Sequence, residues 1–430
     1  MNTVIVIPVI CIVVLVLMGI PMWVAMFAGV IPYFAFLNTM GFSTSIVMQR
    51  MVSTMESSSY LAIPFFVTAG VIMNYSGISK RLLDFAEALV GHLTGGLAQV
   101  NVLLSVLMGG ISGSSAADAA MECKILVPEM ERKGYDRDFS AAVTLASSMV
   151  TPIIPPGIAL IVYAMLANVS VGRMFASGYL PGFIAAIGMM VIVNIISKKR
   201  KYAPSREKMA SFKEIMKLFL KGFWALVIPF GLLFALRGGL FTATEAGAIC
   251  ASYSIIVGAF IYKELKWKHV WPIIKESLLG TATVMILICG AMTMSYWLSV
   301  ERIPNMLAKA VVSAGLPRIA FMILSVIMFL IFGMFMTGGE QIFTPLLAPI
   351  AVALGVNPIQ YGLVMAFTLC LGNMTPPFGI VLFQVSSLLG IKVEDIVKAT
   401  MPFMVFLIVC AFLWALVPFF STWLPTLIYG

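Results

Sequence analysis

Apolar runs long enough to cross a bilayer, about 20 residues each, follow one another along nearly the whole chain. The weak apolar–polar alternation of a membrane barrel strand is absent. The pattern predicts membrane helices near 4–20, 22–38, 60–76, 139–168, 172–197, 222–236, 244–262, 276–298, 358–390 and 399–424. Two more apolar stretches, 97–127 and 317–355, are interrupted midway by glycine-rich sequence and read as re-entrant hairpins. The expected fold class is an all-α polytopic membrane protein. The first run, Val4 to Met18, is expected to stay in place as a span, because no basic n-region precedes it and more spans follow.

Two of the spans are broken by proline. "TPIIPPGIALIV" lies at 151–162 and "NMTPPFGIVLF" at 373–383. Pro181 follows Pro155 by 26 residues, and Pro402 follows Pro376 by the same interval. Each Pro-Pro element comes after a glycine-rich hairpin: "GGISGSSAADAA" (109–120) before the first, "MTGGEQIFTPLL" (336–347) before the second. Five spans precede a basic loop and five follow it. An odd number per half turns the second half upside down, so the expected organisation is an inverted repeat: 1–197, a basic linker 198–221, and 222–430. Paired interrupted helices in inverted repeats point to the binding site of a secondary transporter.

A proline inside a helix lacks its N–H and pushes away the carbonyl one turn back. In hydrocarbon the freed carbonyl needs another partner. One such partner is a dehydrated Na⁺, a hard cation that carbonyl and hydroxyl oxygens can surround; the alternative is a kink healed by neighbouring helices. Thr151 and Thr375 stand beside the two breaks. At the first tip, Ser112, Ser114 and Ser115 offer hydroxyls, and a restarting helix offers free N–H groups that attract anions. Asp118 either answers that helix dipole or helps hold the tip or an ion. In the second tip, Thr337, Gly338, Gly339, Glu340 and Gln341 take the corresponding places, with Glu340 carrying charge or capping the returning helix. Thr242 and Glu245 in "GGLFTATEAG" (238–247) have capping-box spacing, with Gly238 and Gly239 making the preceding turn.

Composition agrees with a membrane protein: 61% of residues are hydrophobic and 10% charged, against roughly 25% charged in soluble domains. The net charge of +9 is a topology signal, not a nucleic-acid patch. The longest basic loop, Lys198 to Lys221, is assigned to the cytoplasm. The span pattern then places 20 of the 27 basic residues inside and six outside, with Lys124 in the first hairpin. The inner charge suits contact with anionic lipid. Six cysteines form no CxxC pair, and His92 and His269 are isolated near segment ends. No disulfide, transition-metal site or organic cofactor is expected. The absence of GxxxxGK[ST] excludes an ATP-binding loop of that type. No nucleophile–base pair stands at membrane depth, so the chain is not expected to be an enzyme.

In order along the chain, "AIPFFVTAGVIM", "GHLTGGLAQVNVLLS", "GGISGSSAADAA", "IPPGIALIVYAM", "GGLFTATEAGA" and "GNMTPPFGIVLF" resemble the large membrane subunit (DctM or M type) of tripartite ATP-independent periplasmic (TRAP) transporters. The resemblance covers essentially the whole length. It implies a multi-pass protein of the bacterial inner membrane that imports an organic anion, such as sialic acid or a C4-dicarboxylate, with Na⁺ by an elevator motion. It implies two partners: a small four-helix membrane subunit (Q type) and a soluble periplasmic binding protein (P type). No fused small-subunit helices are expected ahead of residue 4, so the small subunit is expected to be a separate chain. Carried over by position, one sodium site would use Ser112, Ser114, Ser115, Thr151, Ile154 and Pro156. The other would use Thr337, Gly338, Gly339, Gly372, Thr375 and Phe378. Substrate contacts would fall at Ser114, Asp118, Gly157 and Glu340. Two positions depart from the family pattern: Gly157 where many relatives have Ser, and Thr337 where many have an acid. The other readings are a stand-alone sodium-coupled dicarboxylate or citrate carrier, and a channel.

Overall fold

The computed structural model of the protein describes residues 3–18, 20–37, 45–237, 241–313 and 315–430, and all regular structure among them is helical. A chain in hydrocarbon has no water to satisfy its backbone, and a helix satisfies it internally. The first half supplies α1 (Thr3–Leu17), α2 (Met22–Pro32), α3 (Ser45–Glu56), α4 (Ala62–Tyr75), α5 (Ile78–Val90), α6 (Gly96–Ser112), α7 (Ser115–Arg132), α8 (Arg137–Ser148), α9 (Ile158–Leu166) and α10 (Val171–Arg200). The second half supplies α11 (Phe212–Arg237), α12 (Ala243–Ile256), α13 (Val270–Val300), α14 (Ile303–Ser313), α15 (Arg318–Gly333), α16 (Glu340–Ala353), α17 (Pro358–Gly372), α18 (Ile380–Leu389), α19 (Val393–Leu416) and α20 (Phe419–Tyr429).

Among the described residues, five helical stretches are long and apolar enough to cross a membrane: Arg137–Leu166, Val171–Arg200, Ala243–Ile261, Trp267–Val300 and Val393–Leu416. In the first of them, α8 with α9, 78% of the apolar window is buried, against 39% in each of the others. The broken helix therefore lies inside the protein, while the unbroken ones present a face to lipid. On α10 that face is Ile187, Val191 and Ile195, all exposed at four-residue spacing, with Ala186, Met189 and Val193 buried on the other side. α19 repeats the arrangement, with Val405 and Val409 exposed and Phe403, Leu407 and Ala411 buried.

One succession of elements occurs twice. α6 and α7 form a hairpin that packs on α8, followed by α9 and α10; α15 and α16 form a hairpin that packs on α17, followed by α18 and α19. The two series interlock, since α7 touches α18, α16 touches α9, and α8 touches α19. Tyr163 on α9 donates to the Pro358 carbonyl at the start of α17 (2.8 Å), tying one broken helix to the other.

Three helices lie outside the expected spans. α3, α5 and α14 are short and amphipathic, so a hydropathy window long enough for a crossing dilutes them. α5 shows the mechanism: Ile78, Leu82, Phe85 and Ala86 are buried at helical spacing while Lys80 and Asp84 stay exposed. α4 and α5 meet at 71°. The basic linker is also mostly helical: α10 runs on to Arg200, and α11 begins at Phe212, so Lys213, Lys217 and Lys221 lie on α11. The capping box before α12 is present, with Thr242 N–H donating to Glu245 Oε2 (2.7 Å) and Glu245 N–H to Thr242 Oγ1 (3.2 Å). The expected glycine turn at Gly238 and Gly239 lies outside the described residues.

At the basic end, a polar clamp joins the turn between α7 and α8 to the end of α10. The Tyr202 hydroxyl donates to Asp136 Oδ2 (2.6 Å) and accepts from Asp136 N–H (3.1 Å). Arg200 donates to the same carboxylate oxygen at 2.6 Å, and the Tyr135 and Tyr202 rings stack at 4.5 Å. The Tyr202 hydrogen bond, followed by Arg200, holds Asp136 below the usual carboxylate range. A lowered native pKa stabilises the fold at neutral pH, and that contribution is lost as pH falls through the native value. Tyr202→Phe keeps the ring and removes the hydroxyl. It is expected to lower the thermal unfolding temperature in detergent at pH 7, and the gap to the parent protein should narrow as pH falls below about 4. A gap independent of pH would contradict this account of the clamp.

Candidate functional site

Both hairpin tips turn on a glycine in the left-handed region. Gly113 (φ 58°) ends α6, and Gly338 (φ 77°) stands just before α16. Ser114 caps α7, its Oγ accepting from Ala117 N–H (3.4 Å). The broken helices meet these tips. α8 ends at Ser148, a 3-10 turn covers Thr151–Ile153, and α9 restarts at Ile158. α17 ends at Gly372 and α18 restarts at Ile380. The Pro155–Pro156 and Pro376–Pro377 bonds are both cis.

The first tip lies directly on the first break. A Cβ added to Gly113 would come within 2.7 Å of the Pro156 carbonyl oxygen and 3.2 Å of Gly157 Cα. Among the described residues, no hydrogen bond reaches the carbonyls of Pro152, Ile153, Ile154, Pro155 or Pro156. Thr151 bridges break and hairpin, its hydroxyl donating to Asp118 Oδ2 at 2.7 Å. At the second break Thr375 donates instead to Leu371 O in its own helix (2.8 Å), and the Asn373 carbonyl accepts from Val381 and Leu382 N–H (3.1 and 3.2 Å). Gly372 packs on Gly333, and the exposed Phe378 ring lies 4.8 Å from that of Phe335.

A cavity of about 230 Å³ opens between the two tips. Its walls are the first tip (Gly113 to Ala116), the second tip (Met336 to Gly338, Glu340 and Gln341), Pro152 and Asn373 from the breaks, and Thr283, Val284 and Leu287 of α13. Of the expected site residues, Ser114, Ser115, Thr337, Gly338 and Glu340 line it. Pro156 lies against Gly113 of the first tip, Thr151 bonds to Asp118 on α7, and Ile154 packs on Gly109 of α6 and Gly182 of α10. Gly339 packs on Leu369, and Ser112 turns inward so that its Oγ accepts from Ser114 N–H (3.5 Å). Gly372, Thr375 and Phe378 surround the second break without lining the cavity.

Two expected substrate contacts need correction. Asp118 is 1% exposed and faces Thr151, because α7 turns that side of its first turn toward α8. Gly157 is closed off by its own chain: a Cβ there would lie 1.8 Å from the Pro152 carbonyl oxygen. Sequence reasoning also missed Glu122. It is fully buried and accepts from Ser105 Oγ (2.9 Å), with Ser147 Oγ 3.5 Å from its other oxygen. Ser147 donates to Asn101 Oδ1 (2.9 Å), and Asn101 Nδ2 donates to Thr144 (2.7 Å). The available signal was spacing, since Glu122 follows Asp118 by four residues and shares its helix face. Gln341 and Asn373 were quoted within motifs, but only the fold shows that both are buried with a side-chain oxygen unpartnered.

The family model described as "Tripartite ATP-independent periplasmic transporter, DctM component" matches residues 9–420. The chain belongs to that family. It is 32% identical to the sialic acid TRAP transporter large permease protein SiaM of Vibrio cholerae, over 89% of this chain and 90% of that one. It is 35% identical to the C4-dicarboxylate TRAP transporter large permease protein DctM of the same species, over 86% of each chain. It is 34% identical to the 2,3-diketo-L-gulonate TRAP transporter large permease protein YiaN of Escherichia coli, over 85% and 86%. In fold it is similar to the crystal structure of the Alcanivorax borkumensis YdaH transporter, with a TM-score of 0.59 at 13% identity, covering 97% and 98% of the two chains. As a DctM-type permease the protein is a multi-pass subunit of the inner membrane that serves substrate uptake by a TRAP system; it is not an enzyme.

The contact between tip and break gives a direct test. Gly113→Ala meets both the left-handed backbone penalty and the Pro156 carbonyl, whereas Gly134→Ala meets only the first, since nothing lies within 4 Å of its Cβ position. Gly113→Ala is expected to cost about 1–3 kcal/mol and to exceed Gly134→Ala in thermal unfolding. Equal losses would mean the tip does not rest on the break.

Proposed function

We propose that this DctM-type permease imports a small organic acid together with Na⁺, and that the sodium ions bind where each hairpin tip meets its broken helix. The observation that carries this reading is the run of carbonyls from Pro152 to Pro156 that accept no hydrogen bond among the described residues, the last of them lying against Gly113 of the first tip. Each buried backbone group without a partner costs about 1–3 kcal/mol, so a cluster of them calls for a ligand. Unwound carbonyls of discontinuous helices are suited to Na⁺. The first ion would take oxygens from the Ser112–Ser115 tip, Thr151, Ile154 and Pro156. The second would take them from Thr337 to Gly339, Gly372, Thr375 and Phe378.

The substrate would sit in the cavity between the tips, so that ordering the tips by sodium completes its walls. Relatives are named for sialic acid and for C4-dicarboxylates, and a small carboxylate is the class proposed here. Sodium in excess of substrate charge draws the loaded protein inward at about 2.3 kcal/mol per charge per 100 mV. The repeated succession of hairpin, broken helix and long helix supports two halves of opposite orientation that move as an elevator. A small membrane subunit and a periplasmic binding protein would complete the system, and Lys213, Lys217 and Lys221 on α11 would rest on anionic lipid headgroups.

Thr151→Val and Thr375→Val, reconstituted in proteoliposomes with both partners, test the sites. Each is expected to raise the sodium concentration for half-maximal uptake by roughly tenfold, the equivalent of losing one modest oxygen ligand. Unchanged sodium dependence in both variants would remove the assignment.

A further inference from the structure

A recess of about 410 Å³ opens at the basic end of the molecule, between α5, α11 and the segment that follows α12. Its charged residues come from three distant parts of the chain: Lys80, Arg81 and Asp84 on α5, Lys221 on α11, and Glu264. The charge pattern of the sequence puts all three segments on the cytoplasmic side, and the fold brings them together.

The recess has a fixed frame. The Tyr262 hydroxyl donates to the Lys221 carbonyl (2.9 Å), and Tyr253 on α12 donates to the Trp224 carbonyl (2.8 Å). The Arg81 guanidinium lies 3.9 Å from the centre of the Tyr262 ring. Its Nη1 donates to the Gly77 carbonyl and to Glu264 Oε1, both at 2.8 Å. Among the described residues, no hydrogen bond or ion pair engages Arg81 Nη2 or Nε, the ammonium groups of Lys80 and Lys221, or the Asp84 carboxylate. Three positive side chains against two negative ones leave the recess with a net charge of +1.

The rest of the wall is apolar and faces outward. Leu220, Trp224 and Ile261 are 60%, 40% and 40% exposed. Phe223, Ile256 and Phe260, their neighbours along the same two segments, are exposed too. Trp267 and Trp271 follow, both exposed, and tryptophan is enriched at the headgroup level of a bilayer. Cationic groups thus stand beside an acyl-facing wall at the depth of the lipid phosphates.

We propose that this recess binds one phosphatidylglycerol molecule of the cytoplasmic leaflet. Its phosphodiester lies among Lys80, Arg81 and Lys221, its headgroup hydroxyls donate to Asp84, and its acyl chains run along Leu220, Trp224 and Ile261. Its single negative charge cancels that of the recess, whereas phosphatidylethanolamine, with no net charge, leaves it in place. Basic pockets between membrane helices on the cytoplasmic side suit anionic headgroups. The bound lipid joins α5, the amphipathic helix set at 71° to α4, to α11 and the end of α12. This inference rests on the contact proposed above between α11 and anionic lipid, but not on sodium coupling or on the substrate.

The full chain in dodecyl maltoside is titrated with dioleoylphosphatidylglycerol, dioleoylphosphatidylethanolamine or soluble glycerophosphoglycerol, and thermal unfolding is followed. Phosphatidylglycerol is expected to raise the unfolding temperature at a concentration roughly tenfold lower than phosphatidylethanolamine. Lys80→Ala with Lys221→Ala is expected to need roughly tenfold more phosphatidylglycerol for the same rise. Lys213→Ala with Lys217→Ala, on α11 but outside the recess, is expected to change that requirement far less. Unfolding without added lipid serves as the folding check, and Lys80→Gln with Lys221→Gln replaces the alanine pair if that pair is unfolded. Equal potency of the two lipids, an equal rise with glycerophosphoglycerol, or an unchanged requirement in the folded Lys80 and Lys221 variant would overturn the proposal. Equal weakening by both lysine pairs would overturn the recess and leave the broader contact of α11 with anionic lipid standing. No response of the parent chain to phosphatidylglycerol would remove both.

Discussion

The backbone of a membrane protein has to satisfy its own hydrogen bonds wherever water is absent, and this molecule departs from that rule in the most buried of the five long apolar stretches found among the described residues. α8 and α9 are separated by a stretch that carries three prolines, and five successive carbonyls there accept nothing from the described residues. Such a stretch is tolerable only inside protein or beside a polar ligand. The fold provides the first condition by surrounding the break with α6, α10 and α17. The tip of the first hairpin provides a close neighbour, with Gly113 small enough to rest on Pro156.

Around that break the polar side chains form one connected group. Thr151 reaches Asp118 on α7, Ser105 and Ser147 reach Glu122 one turn further on, and Asn101 links α6 to α8. Hairpin and broken helix are thus joined by hydrogen bonds as well as by packing. The second half repeats the order of elements but not this network. Thr375 bonds within its own helix, and Gly372 meets Gly333 by close backbone approach. The acid of the second tip, Glu340, lines the cavity, whereas the acid of the first faces away from it. Two halves of similar architecture therefore give the cavity two chemically different walls.

The broken spans were legible because proline acts locally: it removes a donor whatever surrounds it. The hairpins were legible because glycine-rich sequence interrupts an otherwise continuous apolar run. The short helices α3, α5 and α14 were not, since their apolar stripes are too narrow to raise a hydropathy average over a full crossing. The helical start of α11 was hidden by its lysines, which read as loop although Lys213, Lys217 and Lys221 are at helical spacing. For the site, the glycines and serines of the tips were found from their motifs. Glu122, Gln341 and Asn373 acquire meaning only from what surrounds them.

By itself the sequence determined the class of the molecule, the positions of its long helices, both breaks and both tips, because each follows from hydropathy or from a residue's own covalent geometry. The tertiary structure decided which polar atoms meet. It turned Asp118 toward Thr151, closed Gly157 against Pro152, and brought Glu340 and Asn373, distant in sequence from Ser114, onto one cavity. Such pairings depend on the rotation of each helix about its axis and on which helices become neighbours, and neither is encoded in the spacing along a single segment.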